Sequence, residues 1–245
     1  MSMLANVDFR YLLDRADACT ASGQHELAID FYTQLLTAYG ENADLHLRRA
    51  AAYSDLYEFS RAADDARQAA ALAPDNANHY WILGGYLLSD ELVKSGTIIA
   101  SNNKARFDEI IRAYSTALEK DPVSEAAWLN LIEINLLLSR YDEAISSYGA
   151  CSPYITSQQF VLIRSFLGCL AITLNGEPLE QDDKKPLLDD SIRITSPCYR
   201  MGEVTALITN LDQFTTDEII KKKAREIYEL FLHHYDDVPE NYYHR

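Results

Sequence analysis

The chain has 245 residues, enough for one or two domains with a sizeable core, and its 48% hydrophobic and 24% charged residues exclude a wholly disordered acidic chain. Its 22 Lys and Arg against 37 Asp and Glu give a formal charge of −15, so the average surface repels nucleic acid and anionic bilayers, and neither is expected as a partner. Only 9 Gly and 7 Pro are present, few for the turns of a long sheet-rich chain, and helix is favoured. Met1 to Arg10 hold no basic segment followed by an apolar run, and the apolar run Phe166 to Ile172 is too short to cross a bilayer. A soluble, cytoplasmic protein is the expectation. Cys19, Cys151, Cys169 and Cys198 are widely separated in mostly apolar surroundings, unlike zinc or redox pairs, and read as reduced core residues.

In chain order, a small-then-aromatic step recurs. Ala28-Ile29 precedes Tyr32, Ala62 precedes Ala66, Ile110-Ile111 precedes Tyr114, and Ala144-Ile145 precedes Tyr148. His25, Phe59, Phe107 and Tyr141 stand three residues upstream of each step, so every second helix opens on the same kind of anchor. Twelve residues before Ala28 and Ala62 stand Ala16 and Ala50, small enough for two helices to approach closely. Pro74 and Pro122 close two units just after Ala-rich helices that Pro cannot continue.

These residues resemble the tetratricopeptide repeat (TPR) family, whose 34-residue unit is a pair of antiparallel helices. The resemblance implies an all-α fold, an α-α superhelix or TPR solenoid with C-terminal capping helices. It places units at about 9–42, 43–76, 77–122 and 125–158, so residues 1–154 are read as the repeat array and 155–245 as a helical extension. Ala50, Tyr53, Phe59, Ala62, Ala69 and Pro74 fall on the family's positions in the second unit, and Trp128 stands at its large aromatic position in the fourth. Trp128 is expected to fill the space between the third and fourth repeats. The third unit carries an excess near Glu91 to Lys104, between its two helices; either both helices lengthen by about two turns, or a loop forms around Ser95-Gly96 and Ser101-Asn102-Asn103.

Beyond the array, Thr156 with Gln159 predicts a capping box for an apolar, buried helix over Phe160 to Leu174, the first helix of a degenerate fifth unit in which Leu167-Gly168 echoes Leu83-Gly84. An acidic linker, Glu177 to Lys185, leads to a short helix near Leu187 to Ile194 and another over about Met201 to Leu211. Thr215 with Glu218 predicts a second capping box, opening an amphipathic helix with Ile220, Ala224, Ile227 and Phe231 on one side and Lys221, Lys222, Lys223 and Arg225 on the other. A solenoid end needs a cap with a polar exterior, which these helices suit.

No phosphate loop, dinucleotide turn, nucleophile elbow or EF-hand loop occurs, and His25-Glu26 lacks the second His of a zinc-protease helix because Ile29 stands there. His233, His234, Asp236, Asp237 and His244 match no established metal spacing and read as a solvated terminus, and Glu177, Glu180, Asp182 and Asp183 as a solvated loop. The Lys221 to Arg225 run reads as the charged outer face of its helix. No catalytic residue, metal or cofactor is therefore expected, and the chain reads as a non-enzymatic interaction scaffold. Two alternatives remain: a chaperone-like holder of a basic or apolar client, and an enzyme or ligand sensor built around Tyr199, Arg200, His233 and His234.

In the resemblance, the first helix of each pair lines a concave groove for a peptide or helix. The residues it brings forward are Leu13, Asp17, Leu47, Asp55, Trp81, Leu88, Leu129 and Glu133, with Trp81 as the expected hot spot. Leu136 and Leu137 face the same way, unless the insertion or the C-terminal helices cover this end. One subset of the family grips acidic chaperone tails with Lys, Asn and Arg; the matching positions here are Leu13, Asp17, Arg48, Asn78 and Ile82, and Asp17 repels a carboxylate. The expected partner is instead a protein or peptide with apolar and basic residues, with homo-oligomerisation open through an exposed end of the array.

Overall fold

The computed structural model describes residues 3–98, 101–194 and 202–235. Cys198, Tyr199, Arg200, Met201, Asp236, Asp237 and His244 lie outside the described residues, and with them the polar pocket and most of the histidine and acid cluster. The chain divides into two compact units, Met1–Lys94 with Asn103–Asp121, and Ser95–Asn102 with Pro122–Arg245. This division differs from the end of the repeat signature at 154, because the fourth helix pair is grouped with the C-terminal helices.

The first unit holds three helix pairs. They are α1 (Met3–Ala21) with α2 (His25–Tyr39), α3 (Ala43–Asp55) with α4 (Phe59–Leu72), and α5 (Ala77–Ser95) with α6 (Lys104–Lys120). Asn42 and Asn103 cap α3 and α6, each accepting from a backbone N–H three residues on. The core follows the repeat pattern: Ala16, Ala28, Ala50, Ala62, Ala66 and Ala69 are fully buried, letting helices approach, and Tyr32 and Tyr114 fill the gaps between them. Gly84 supplies the closest approach, since a Cβ there would stand 2.6 Å from the Tyr114 ring.

The inserted residues divide between the two alternatives. α5 has 19 residues against 13 in α3, so most of two turns go into the first helix, while α6 has 17 against 14 in α4. The segment between them leaves the first unit: Ile98 is buried in the second, and its N–H donates to Glu203 at 2.9 Å. Burial pushes the Glu203 carboxyl above its ordinary value, and the Ile98 amide offsets this only in part.

The second unit holds α7 (Glu125–Leu137), α8 (Tyr141–Ala150), α9 (Gln158–Leu174), α10 (Gln181–Lys184) with a 3-10 turn (Lys185–Leu188), α11 (Gly202–Thr209) and α12 (Glu218–Leu232). α9 is buried from Leu162 almost without break to Leu174, with Phe166 stacked on Phe231 of α12 at 4.0 Å between ring centroids. A Cβ at Gly168 would stand 2.4 Å from the Tyr148 ring, the counterpart of Gly84 against Tyr114.

One turn recurs through both units. After α1, α3 and α7 the chain enters the left-handed region at Gly23 (φ 74°), Tyr57 (φ 60°) and Ser139 (φ 58°). The amides of Gln24, Glu58 and Arg140 then reach back to the carbonyls of Cys19, Tyr53 and Asn135 at 2.8, 2.9 and 2.8 Å. α9 ends alike: Gly176 has φ 79° and the Glu177 N–H donates to Ile172 at 3.0 Å. α9 thus ends in the same turn as α1, α3 and α7, and α10 with the 3-10 turn follows it.

Several sequence expectations need correction. Ser157, not Thr156, caps α9, because Glu125 Oε1 already accepts from the Thr156 and Ser157 amides at 2.5 and 3.1 Å. Asp217, not Thr215, caps α12, while the Thr215 hydroxyl accepts from the Asp217 amide in the preceding turn. Residues 189–194 are not helical: the Ile192 carbonyl turns to His234, and Ile194 forms an isolated parallel bridge with Tyr235. Lys221 is buried rather than outward, with its Nζ on Asp212 and on Glu218 at 2.7 Å. Trp128 is half-buried instead of filling a core, stacked on Tyr154 at 6.1 Å with its Nε1 donating to the Pro122 carbonyl at 2.8 Å.

Candidate functional site

The face shared by α1, α3 and α5 carries the predicted groove residues of the first unit. Leu13, Leu47 and Leu88 are half-buried, Leu13 packing against the core formed by α1 and α2, and Trp81 is 36% exposed. Asp17 is not the open carboxylate the sequence implied. It accepts from the Tyr32 hydroxyl at 2.7 Å and from Arg48 at 3.0 and 3.1 Å, while Arg48 Nε donates to Asp44 at 2.7 Å. The Asp44 hydrogen bond leads the forces that hold Arg48 more firmly protonated than a free guanidinium, with Asp17 adding to it. Burial raises the Tyr32 phenol, and Asp17 adds to the shift.

Asp55 lies at the last turn of α3 with its side chain half exposed, its Oδ2 3.3 Å from His25 Nδ1. Its charge also reaches α5: burial raises the Tyr86 phenol, and Asp55 adds to the shift. The face therefore sets three carboxylates, Asp17, Asp44 and Asp55, around Arg48, with Arg10 exposed two turns before Asp17 on α1 and a partly apolar floor. The only cation among the five chaperone-tail positions, Arg48, is already engaged by two carboxylates.

The corresponding face of α7 is different. Leu129 is 4% exposed, Leu136 and Leu137 are also buried, and Glu133 is half-buried. α7 packs against α8, α9 and α11, so the chain's own helices occupy the leucines that sequence position assigns to a partner. Leu129 is thus removed from the accessible set. α11 packs on α7, with Val204, Leu207 and Ile208 buried.

Sequence reasoning also missed the buried polar groups. His46 lies between Asp65 (2.7 Å from Nδ1) and Glu41 (2.5 Å from Nε2), and Arg49 clamps Asp65 through two nitrogens. Asp90 is buried on α5 and accepts from Ser60 and Lys94 at 2.7 and 2.6 Å, with Arg106 at 3.3 Å. Burial alone would raise its carboxyl, but the Lys94 and Ser60 hydrogen bonds and the charges of Lys94 and Arg106 outweigh that and lower it. Glu109 is lowered against the same penalty by Arg67 and Arg106. The pairs Arg49–Asp65, His46–Asp65, Ser60–Asp90, Arg106–Asp90 and Arg67–Glu109 are 16 to 42 residues apart, beyond any local motif. Cys19, Cys151 and Cys169 are buried and free; burial pushes the Cys169 thiol up to about 12, so the thiolate needed for nucleophilic or redox chemistry is suppressed. Among the described residues no His, Cys, Asp and Glu group has metal-site geometry, and no helix is long and apolar enough to cross a membrane.

Helix pairs of one design, joined by one turn, define a helical-repeat protein. Residues 104–153 match the family model of the tetratricopeptide repeat. The small glutamine-rich tetratricopeptide repeat-containing protein 2 of Mycosarcoma maydis is 28% identical over 120 residues, 46% of this chain and 30% of that protein, so the chain spans less than a third of that relative. Among solved structures, a crystal structure of MamA aligns with TM-score 0.58 at 19% identity, covering 73% of this chain and 87% of that one. YrrB, a TPR protein with an unusual peptide-binding site, aligns with TM-score 0.55 at 13% identity, covering 88% and 90%. The chain thus carries a tetratricopeptide repeat over residues 104–153, and its fold is that of a TPR solenoid.

Proposed function

We propose that the chain is a non-catalytic interaction scaffold that binds a partner polypeptide on the α1, α3 and α5 face of its first unit. The observation that carries this reading is the exposed Trp81, with half-buried Leu88 two turns on in α5 and half-buried Leu47 on α3, on a face that also holds the carboxylates Asp17, Asp44 and Asp55. An indole at such a site buries a large apolar area at little entropic cost when a partner covers it. The excess of carboxylates suits Lys or Arg in the partner, beside an apolar anchor. YrrB, a peptide-binding protein of the same fold, supports the class of activity. The partner-facing set is Leu13, Asp17, Leu47, Asp55, Trp81 and Leu88, with Asp17 acting mainly to orient Arg48.

The test is selection of random 15-residue peptides on the purified chain, followed by affinity measurement at low and high salt. Enrichment of basic peptides with an aromatic or aliphatic anchor is expected, with Trp81→Ala and Asp55→Asn each weakening binding at least fivefold while the melting temperature stays within about 2 °C. Selected peptides that bind the Trp81→Ala chain as tightly as the parent would refute the site. A basic client held insoluble alone but soluble in a one-to-one complex would favour the holding-chaperone reading.

A further inference from the structure

The end of α12 carries a histidine that faces two hydrogen-bond acceptors and no donor. His234 has 0% of its surface exposed, yet both ring nitrogens face backbone carbonyl oxygens: Nδ1 lies 2.8 Å from Ile192 and Nε2 3.1 Å from Leu187. A carbonyl oxygen can only accept. A neutral imidazole has one N–H and one lone pair, so either tautomer satisfies one carbonyl and turns a lone pair on the other; the imidazolium donates to both. Buried, an unmatched pair of acceptors is costly, since no water replaces the missing bond.

The same backbone is tied to the end of α12 by other contacts. The Ile194 N–H donates to the His234 carbonyl at 2.8 Å, Ile194 bridges to Tyr235, and Arg193 donates to the His233 carbonyl at 3.2 Å. The charged groups around the ring come from both sides of this junction. Asp189 is held below the ordinary aspartate value mainly by Ser191, with a contribution from positive charge on His234, and Asp190 lies 3.6 Å from His233 Nε2. Lys185 is on the 3-10 turn packed against α12, Arg193 is in the tied segment, and Glu229 is on α12, where only its backbone carbonyl accepts the His233 amide. None of these carboxylates hydrogen-bonds the His234 ring; the carbonyls of Leu187 and Ile192 favour two ring N–H groups, Asp189 adds to that through its charge, and burial opposes it.

We propose that His234 is a pH-operated clasp: protonated, it pins the 187–194 segment to the end of α12 through two hydrogen bonds, and on losing its proton it surrenders one and loosens the junction. The direction is fixed by the donors: the junction is tight on the acid side and slackens as pH rises.

The experiment uses the full chain, labelled with 15N. Ring nitrogen shifts report whether His234 carries two protons at pH 5.5, and amide exchange at Ile194, corrected for intrinsic rate, is compared at pH 5.5 and 8.5. Two ring N–H groups at the lower pH and an Ile194 protection factor at least fivefold smaller at the higher pH are expected, while Ala171 within α9 stays constant. His234→Gln should remove the pH dependence of Ile194 protection, and His233→Gln, an exposed neighbour, should keep it. A neutral His234 ring at pH 5.5, or Ile194 protection equal at both pH values in the parent chain, overturns the proposal, and neither reading depends on the variants folding.

Discussion

Gly84 and Gly85 are adjacent in α5 and make opposite demands. Replacing a glycine inside a helix by alanine removes backbone freedom from the unfolded chain and stabilises by about 1 kcal/mol when the methyl has room. At Gly85 nothing lies within 4 Å of an added Cβ, so Gly85→Ala should gain about 0.5–1 kcal/mol. At Gly84 the methyl would meet Tyr114 Cε1 at 2.6 Å and Cδ1 at 2.8 Å, and Tyr114 is only 1% exposed, so the ring has no open side to move into. Overpacking of this kind costs about 1–3 kcal/mol, and relief of so close a contact lies toward the upper end; less the propensity gain, Gly84→Ala should lose about 1–2 kcal/mol. Urea unfolding followed by circular dichroism at 222 nm reads both signs. Combining Gly84→Ala with Tyr114→Leu should recover part of the loss, a coupling absent between Gly85→Ala and Tyr114→Leu. Stabilisation by Gly84→Ala equal to that by Gly85→Ala would refute the close packing of α5 on α6.

Ser139 adopts φ 58° without being glycine, at a cost of about 1 kcal/mol, so Ser139→Gly should raise the urea midpoint by the equivalent of about 0.5–1 kcal/mol. Tyr57→Gly should gain less, because it also gives up the edge contact with Phe59 at 6.0 Å. Trp128→Ala should cost about 2 kcal/mol, below the 3–5 kcal/mol of a fully buried indole, and a loss under about 0.5 kcal/mol would show the Tyr154 stack to be idle. Asp90 and Glu109 are both held below their ordinary values, so their contribution is full above about pH 5, where the unfolded chain's carboxylates are also ionised, and drains away as pH falls through 4 and below. Melting temperature between pH 6 and 2.5 should therefore fall less steeply for Asp90→Asn than for the parent, from a lower starting value.

The repeat boundaries were legible because they rest on contacts within one helix pair. Small residues at Ala16, Ala50 and Ala62, aromatics at Tyr32, Tyr114 and Tyr148, and prolines at 74 and 122 act across a few turns; α2, α4 and α8 open on the anchors His25, Phe59 and Tyr141, while α6 opens at Lys104, ahead of Phe107, and α1 at Met3, ahead of the expected start near residue 9. Helix caps were legible only to within a residue or two: Thr156 and Ser157 are equally good candidates until the contact from Glu125, 31 residues earlier, ties down the Thr156 amide. The groove was half legible. Trp81 and Leu47 stand where repeat position puts them, but Leu129 is buried on a helix that packs against α8, α9 and α11, the last of these from some 75 residues away. His46, Asp90 and His234 were invisible for the same reason, since each becomes a buried polar centre only through partners on other elements.

The bond between Ile98 and Glu203 joins residues 105 apart in the chain. Neighbouring helix pairs can zip together as they leave the ribosome, whereas the loop that carries Ile98 must wait for α11 to be translated, roughly 5–20 s later at ordinary elongation rates. During that interval an isoleucine destined for burial stands in solvent, and no single cut in the polypeptide separates the two halves cleanly, because one lends a piece of itself to the other.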